Sequence, residues 1–179
     1  VRSSAYLTLS WDKVSGASGY RIYRYNTDAQ AYEKVITLTS GSTVSYKITG
    51  LATAKEYQFK VRAYRKVDGV TTWGSSSAAY KDSTKPGQTK SLKASSKSSA
   101  VTLKWNKVTS ASGYQVYRYN SKTKKYEKLA TVKGNATFSY KNTKLKKGTT
   151  VKYKVRAYKT YNGTNYYGAF SDIVSIKVK

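Results

Sequence analysis

Without a single His or Cys, this chain lacks the imidazole and thiolate on which nucleophilic triads and soft-metal sites depend. Carboxylates are scarce as well, with 8 Asp plus Glu in 179 residues. Two carboxylates facing each other could serve glycoside hydrolysis. Here, however, Glu33 and Glu127 each sit at the centre of a Tyr-Glu-Lys tripeptide, and Asp12 is answered by Asn106 in the matching segment. Singletons repeated at equivalent places do not make a catalytic pair. No phosphate-cradling glycine loop is present either, so no catalytic residue, metal or cofactor is expected.

The chemistry that remains is binding chemistry. Lys plus Arg total 34 and the formal net charge is +26, a field that attracts polyanions and repels its own copies. It is unevenly shared: residues 1–84 carry net +6 and residues 85–179 net +20. If the segments Tyr20–Tyr25 and Tyr57–Tyr64 are neighbouring strands, their outward residues form a plane of Arg21, Tyr23, Tyr25, Lys60, Arg62 and Tyr64. The second half offers Gln115, Tyr117, Tyr119, Lys154, Arg156 and Tyr158 in the same arrangement. Cations interleaved with tyrosines can hold a polyanion by charge and a sugar ring or base by stacking. They can equally serve the sheet itself, because such cross-strand pairs contribute up to about 1 kcal/mol each. Two lysine clusters stand apart from the planes, Lys122, Lys124 and Lys125 in one turn and Lys144, Lys146 and Lys147 in another. Loop lysines usually form a solvated face; two clusters in a half at +20 could also make a polyanion-docking end. Trp73 and Tyr167 precede a glycine at one equivalent position and read as packing beneath a loop.

The elements that must position these groups come twice. Trp11–Asn26, WDKVSGASGYRIYRYN, returns as Trp105–Asn120, WNKVTSASGYQVYRYN, with 11 of 16 positions identical and a constant offset of 94. Self-similarity at a fixed period marks an array of like units. The chain divides into domain 1 at 1–84 and domain 2 at 85–179, joined across Ser83–Gln88, which holds its only proline. Within each unit strict apolar-polar alternation predicts strands. Those of domain 1 are Ala5–Trp11, Tyr20–Tyr25, Tyr32–Leu38, Val44–Ile48, Tyr57–Tyr64 and a last one around Ser75–Lys81, matched by Ala169–Lys179 in domain 2. Asp68-Gly69 and Asn162-Gly163 predict tight hairpins, since both central residues must accept positive φ. Thr89–Ala94 opens domain 2 with a strand for which domain 1 has no counterpart. That missing opening strand is expected either from truncation or because another chain supplies it by edge addition. No run nears the roughly 20 apolar residues that span a bilayer, and membrane insertion is not expected. The start at Val1 reads as an interior fragment or mature product. The fold class is all-β, a sandwich or barrel.

An inward Trp on the second strand, Gly-Tyr-x-Ile/Val-Tyr-Arg on the third, then Leu51 and Tyr57-x-Phe-x-Val-x-Ala together resemble the fibronectin type III domain. The style is that of long extracellular proteins of Gram-positive bacteria. The resemblance implies two immunoglobulin-like sandwiches, each of two antiparallel sheets with Greek-key connections, with Trp11 and Trp105 filling the cores. It also implies that Tyr57 is the corner tyrosine whose hydroxyl ties a loop to the backbone. Domain 2 departs from this, with Val151 at that place, so its stability must come from elsewhere, and Tyr153 at the Phe59 position is the candidate. The Arg-Gly-Asp tripeptide of some animal relatives is absent, and the sequons at Asn135 and Asn162 are idle if the source is bacterial.

The tandem repeat, the short linker and the lack of catalytic chemistry point to a non-catalytic spacer of a secreted or surface-attached bacterial protein, within an adhesive or fibrous assembly. Its partners would be neighbouring domains of the same polypeptide. The alternative is a module that binds cell-wall glycan or anionic polymer through the Tyr/Arg/Lys surface. Self-association through the open edge of domain 1 is a third reading. Nucleic acid is the weakest partner because no recognised nucleic-acid fold is indicated.

Overall fold

The computed structural model describes residues 4–179, which form two compact units, Val1–Thr84 and Lys85–Lys179. No helix occurs among the described residues. In the first unit β1 (Leu7–Ser10) pairs with β4 (Ser45–Ile48), and a second sheet runs β3 (Ala31–Leu38), β2 (Gly19–Asn26), β5 (Glu56–Val67), β6 (Val70–Ser76), with β7 (Tyr80–Ser83) also on β5. In the second unit β8 (Lys93–Lys97) adds a third strand to β9 (Ala100–Lys104) and β12 (Ser139–Asn142). The larger sheet repeats as β11 (Lys125–Lys133), β10 (Gly113–Asn120), β13 (Thr150–Tyr161), β14 (Thr164–Tyr167), with β15 (Val174–Lys177) on β13. Every pairing is antiparallel.

Alternation sorts the faces as expected. Tyr20 and Ile22 are buried on β2 while Arg21, Tyr23 and Tyr25 keep partial exposure. Between the sheets of domain 1 lie Leu7, Leu9, Ile22, Ile48, Leu51 and Phe59. In domain 2 Val101, Leu103, Trp105, Tyr114, Val116 and Tyr153 fill the same space. Each fully buried large side chain contributes about 1.5–3 kcal/mol relative to exposure. Trp105 is 3% exposed, whereas Trp11 packs on its core but is only partly buried. The reason is visible at β8: Leu92 and Ala94 cover the domain 2 core, and no described residue of domain 1 stands in their place. The opening strand expected to be missing from domain 1 falls outside the described residues, and β1 pairs with β4 alone among them.

One expectation fails in both domains. The predicted last strand Ser75–Lys81 straddles a break between β6 and β7, and the predicted Ala169–Lys179 holds only β15 after the break that follows β14; in each domain the two strands lie end to end along one edge of β5 or β13. The break is built around a serine. Ser77 N–H donates to Val61 O at 2.8 Å, and Ser77 Oγ accepts from Val61 N–H at 3.0 Å, standing in for a backbone carbonyl. Ser171 makes the same pair of bonds with Val155, at 2.8 and 3.0 Å. The hairpins behave as predicted, with φ of 48° and 81° at Asp68 and Gly69, and 46° and 73° at Asn162 and Gly163.

Candidate functional site

Two surfaces carry the site residues expected from sequence. The first is the outer face of each larger sheet. In domain 1 the register sets Arg21 directly opposite Arg62, and Tyr23 opposite Lys60. Two guanidiniums placed so would repel each other, and Trp73 relieves them: Arg21 Cζ lies 4.2 Å and Arg62 Cζ 5.5 Å from its ring centroid. Arg21 Nε also donates to Thr37 Oγ1 at 3.0 Å, and Arg62 Nε to Gly74 O at 2.6 Å. Lys60 lies 4.6 Å above Tyr32, which is packed edge-on against Tyr25 at 5.2 Å. Trp73 thus belongs to the exposed plane and not beneath a loop. Its strand β6 pairs Trp73 with Tyr64, which puts both rings on one face, 5.1 Å apart.

Domain 2 solves the same geometry differently. Gln115 takes the place of Arg21, and its Oε1 accepts from Arg156 Nε at 3.1 Å and from Tyr117 Oη at 3.0 Å. The Arg156 guanidinium lies 3.9 Å from the Tyr167 ring, 5.1 Å from Tyr117 and 4.9 Å from Phe170. Lys154 sits 4.0 Å from Phe170 and 4.4 Å from Tyr126. Tyr119 stacks on Tyr126 at 5.2 Å. Tyr167, like Trp73, is part of this plane. Tyr158 is not: it is 7% exposed, because its ring lies across Gly113, where an added Cβ would come within 2.7 Å of Tyr158 Oη. Tyr64 covers Gly19 in the same way and donates from its hydroxyl to Leu38 O at 3.3 Å. Sequence reasoning missed Tyr32, Tyr126 and Phe170; the recurring Tyr-Glu-Lys tripeptide was the available signal for the first two.

The second surface is an open groove of about 820 Å³ at one end of domain 2. It brings the two lysine clusters together, Lys122 from the β10–β11 turn and Lys144 and Lys146 from the β12–β13 loop, and adds Arg118, Lys128 and Lys152 from the strands. Lys124, Lys125 and Lys147 do not line it. Glu127 is the single carboxylate in the lining, and neutral donors occupy it: Asn120 Nδ2 at 3.0 Å to each oxygen and Thr123 Oγ1 at 2.7 Å. Those bonds, Asn120 first, hold its carboxyl below the usual range.

At this corner domain 2 lacks the tyrosine that domain 1 has. In domain 1 Tyr57 fills this corner, with its hydroxyl accepting from Ala52 N–H at 2.8 Å, as the resemblance implies. In domain 2 Val151 lines the groove instead. The tie moves inward, where Asn142 Nδ2 donates to Tyr153 Oη at 2.8 Å with both residues buried. Burial pushes the Tyr153 hydroxyl up from its ordinary pKa, against the smaller opposing effect of the Asn142 bond. Domain 1 has the apolar pair Ile48 and Phe59 at those positions.

Among the described residues no three His, Cys, Asp or Glu side chains gather as metal ligands. No helix among the described residues is long and apolar enough to cross a membrane.

Comparison with known proteins agrees with the architecture. Residues 1–78 match the family model of the fibronectin type III domain, and no curated protein matches the chain. Among solved structures, a segment of two fibronectin type III domains from chicken tenascin is similar at 19% identity and a TM-score of 0.57, over 100% of this chain and 94% of that one. The FN1–FN3 domains of chicken CNTN1 are similar at 22% identity with a TM-score of 0.46, over 99% of this chain and 61% of that one. FN3tt mut is similar at 18% identity with a TM-score of 0.44, over 52% of this chain and 97% of that one. The fold of this chain is that of fibronectin type III domains in tandem.

Proposed function

We propose that this chain is a non-catalytic structural module of a secreted or surface-attached bacterial protein, spacing neighbouring domains of its polypeptide within an adhesive or fibrous assembly. Fibronectin type III domains commonly serve as structural or binding modules of multi-domain proteins. The observation that carries the spacer reading is how the outer faces are used. In both domains the cations of the larger sheet are stacked on aromatic rings of the same sheet. Each such contact contributes about 0.5–1 kcal/mol at an exposed site, so these faces stiffen the sheet they belong to. Small-angle scattering of the chain tests the reading: an extended particle is expected, and two units folded compactly on each other would count against it.

A second reading, binding of cell-wall glycan or anionic polymer, is favoured by the charge gathered in domain 2. Pull-down on walls stripped or not stripped of their anionic polymer tests it. Salt-sensitive retention on the unstripped wall is the expected result, and failure to bind either would leave the spacer alone.

A further inference from the structure

The outer faces stack their cations on aromatic rings, whereas the groove of domain 2 gathers more cations than it has rings or carboxylates to answer them. Its six cations, Arg118, Lys122, Lys128, Lys144, Lys146 and Lys152, share one carboxylate, which is held by Asn120 and Thr123 and faces Arg118 across the strands, while Lys152 lies 5.7 Å from the Tyr119 ring. The equivalent positions of domain 1 hold three cations and three carboxylates: Arg24, Lys34 and Lys55, and Asp28, Glu33 and Glu56. The excess is therefore local, arising where Asp28 is replaced by Lys122, Gly50 by Lys144, Ala52 by Lys146 and Gln58 by Lys152. The same corner has lost the ring of Tyr57 to Val151. With that ring the backbone loses a partner: Ala52 N–H is bonded to Tyr57 Oη, while its counterpart at Lys146 has no hydrogen-bond partner among the described residues. Space, an excess of cations over carboxylates and a free amide donor thus arise together.

We propose that this groove is a binding site for a flexible, linear phosphodiester polymer that carries no bases. The proposal rests on the second reading above and names its site and ligand chemistry. Ammonium groups on flexible stems suit an acceptor that is densely and repeatedly charged, and phosphate is one that lysine binds as a point charge. A groove of about 820 Å³ lies in the range of small-ligand sites, so it takes a few repeat units of one strand and no folded partner. Stacking platforms for successive bases are lacking. Tyr119 is the one aromatic residue in the lining, and its ring is engaged by Tyr126 at 5.2 Å and by Lys152 at 5.7 Å. Single-stranded nucleic acid binders present such rings in series.

The test is fluorescence anisotropy with a labelled poly(glycerol phosphate) oligomer and with single-stranded DNA of equal charge, on the full chain. With about four to six phosphates neutralised, the salt slope should be roughly −3 to −4, a fall in affinity of about a hundredfold between about 50 and 200 mM salt. Changing Lys122, Lys144, Lys146 and Lys152 to Gln should weaken poly(glycerol phosphate) binding by at least about thirtyfold and flatten that slope. Changing Lys93, Lys97, Lys104 and Lys141 on the opposite sheet to Gln removes the same charge and should cost less than about threefold. Val151→Tyr alters no charge; by refilling the corner it should weaken binding about tenfold, with circular dichroism confirming the fold. Equal loss from both lysine sets, or an unaffected Val151→Tyr, would show a diffuse field and overturn the site while leaving the broader binding reading standing. Tighter binding of the DNA would overturn the assignment to a base-free polymer. No binding of either probe by the unaltered chain would end both the site and the reading it rests on.

Discussion

The two domains share a scaffold and close one corner of it by different ties. Domain 1 uses an exposed bond in which the loop amide of Ala52 donates to the Tyr57 hydroxyl, with the apolar Ile48 and Phe59 in its core. Domain 2 uses a buried bond between Asn142 and Tyr153, beneath a corner trimmed to Val151. Moving the tie from surface to core releases the Lys146 N–H from it, while Leu145 stays in the core and Lys146 O accepts from Thr149 Oγ1 at 2.6 Å. Lysines then occupy positions where domain 1 has Gly50 and Ala52. Elsewhere the domains keep a tie in common. Tyr20 Oη accepts from Val14 N–H at 2.9 Å and Tyr114 Oη from Val108 N–H at 2.8 Å. A shared fold therefore fixes which tyrosines are indispensable and which can be traded for a surface.

The largest effect is expected where the domains do not differ. A Cβ at Gly19 would lie 2.1 Å from Leu38 O, and one at Gly113 would lie 2.4 Å from Val132 O. Both obstacles are backbone, so strands must separate. Gly19→Ala and Gly113→Ala should each cost about 3 kcal/mol, measured by urea denaturation. A tolerated alanine at one site alone would show that the domains hold the β2–β3 and β10–β11 pairs with different stiffness.

Next comes the exchange of ties. Asn142→Ile leaves the buried Tyr153 hydroxyl unpaired, a loss of about 1–3 kcal/mol. Adding Tyr153→Phe recreates the pair of domain 1 and should return most of it. The double-mutant cycle should give a coupling of at least about 1 kcal/mol. Additive losses would mean the bond is incidental. The same pair predicts a pH response. Because burial raises the Tyr153 pKa above its unfolded value, its contribution is fully present below the ordinary tyrosine pKa of about 10 and is lost as pH rises through the folded value. Alkaline destabilisation of the chain should therefore lessen in the Asn142→Ile, Tyr153→Phe variant, as followed by denaturation at increasing pH.

Strands, faces and the domain repeat were legible because alternation and the 94-residue offset are properties of the sequence itself. The corner exchange was half legible. Val151 against Tyr57 shows directly in the offset, but that Asn142 answers Tyr153 requires the packing of β12 over β13. The broken last strand was hidden, since Ser77 and Ser171 look like any polar residue until their hydroxyls replace a carbonyl. Trp73 was misplaced because Val70–Gly74 shows no alternation that assigns a face. A bulge after Ile22 shifts the register and leaves Val35 as the extra residue between Lys34 and Ile36, so counting by twos along β3 fails there. Lys122 and Lys144 lie 22 residues apart in sequence, and only the fold brings their loops to one groove. Arg118, Lys128 and Lys152 had no cluster to mark them; of the three, only Lys152, which replaces Gln58, stands out in the offset.

The smallest effect concerns the corner tyrosine itself. Tyr57→Phe removes one hydrogen bond to the amide of Ala52 at an exposed site, a loss of about 0.5–1.5 kcal/mol. The phenyl ring can keep its stacking on Phe59, now 6.2 Å away. The reciprocal change, Val151→Tyr, offers a partner to the Lys146 amide and should gain at most about 1 kcal/mol. Equilibrium denaturation of both variants compares the two corners directly. A loss from Tyr57→Phe without a matching gain from Val151→Tyr would mean that the domain 2 loop has settled into a shape that no longer accepts the tie. Equal and opposite shifts would mean the corner is interchangeable, and that the chain gave up stability in domain 2 to keep the groove open.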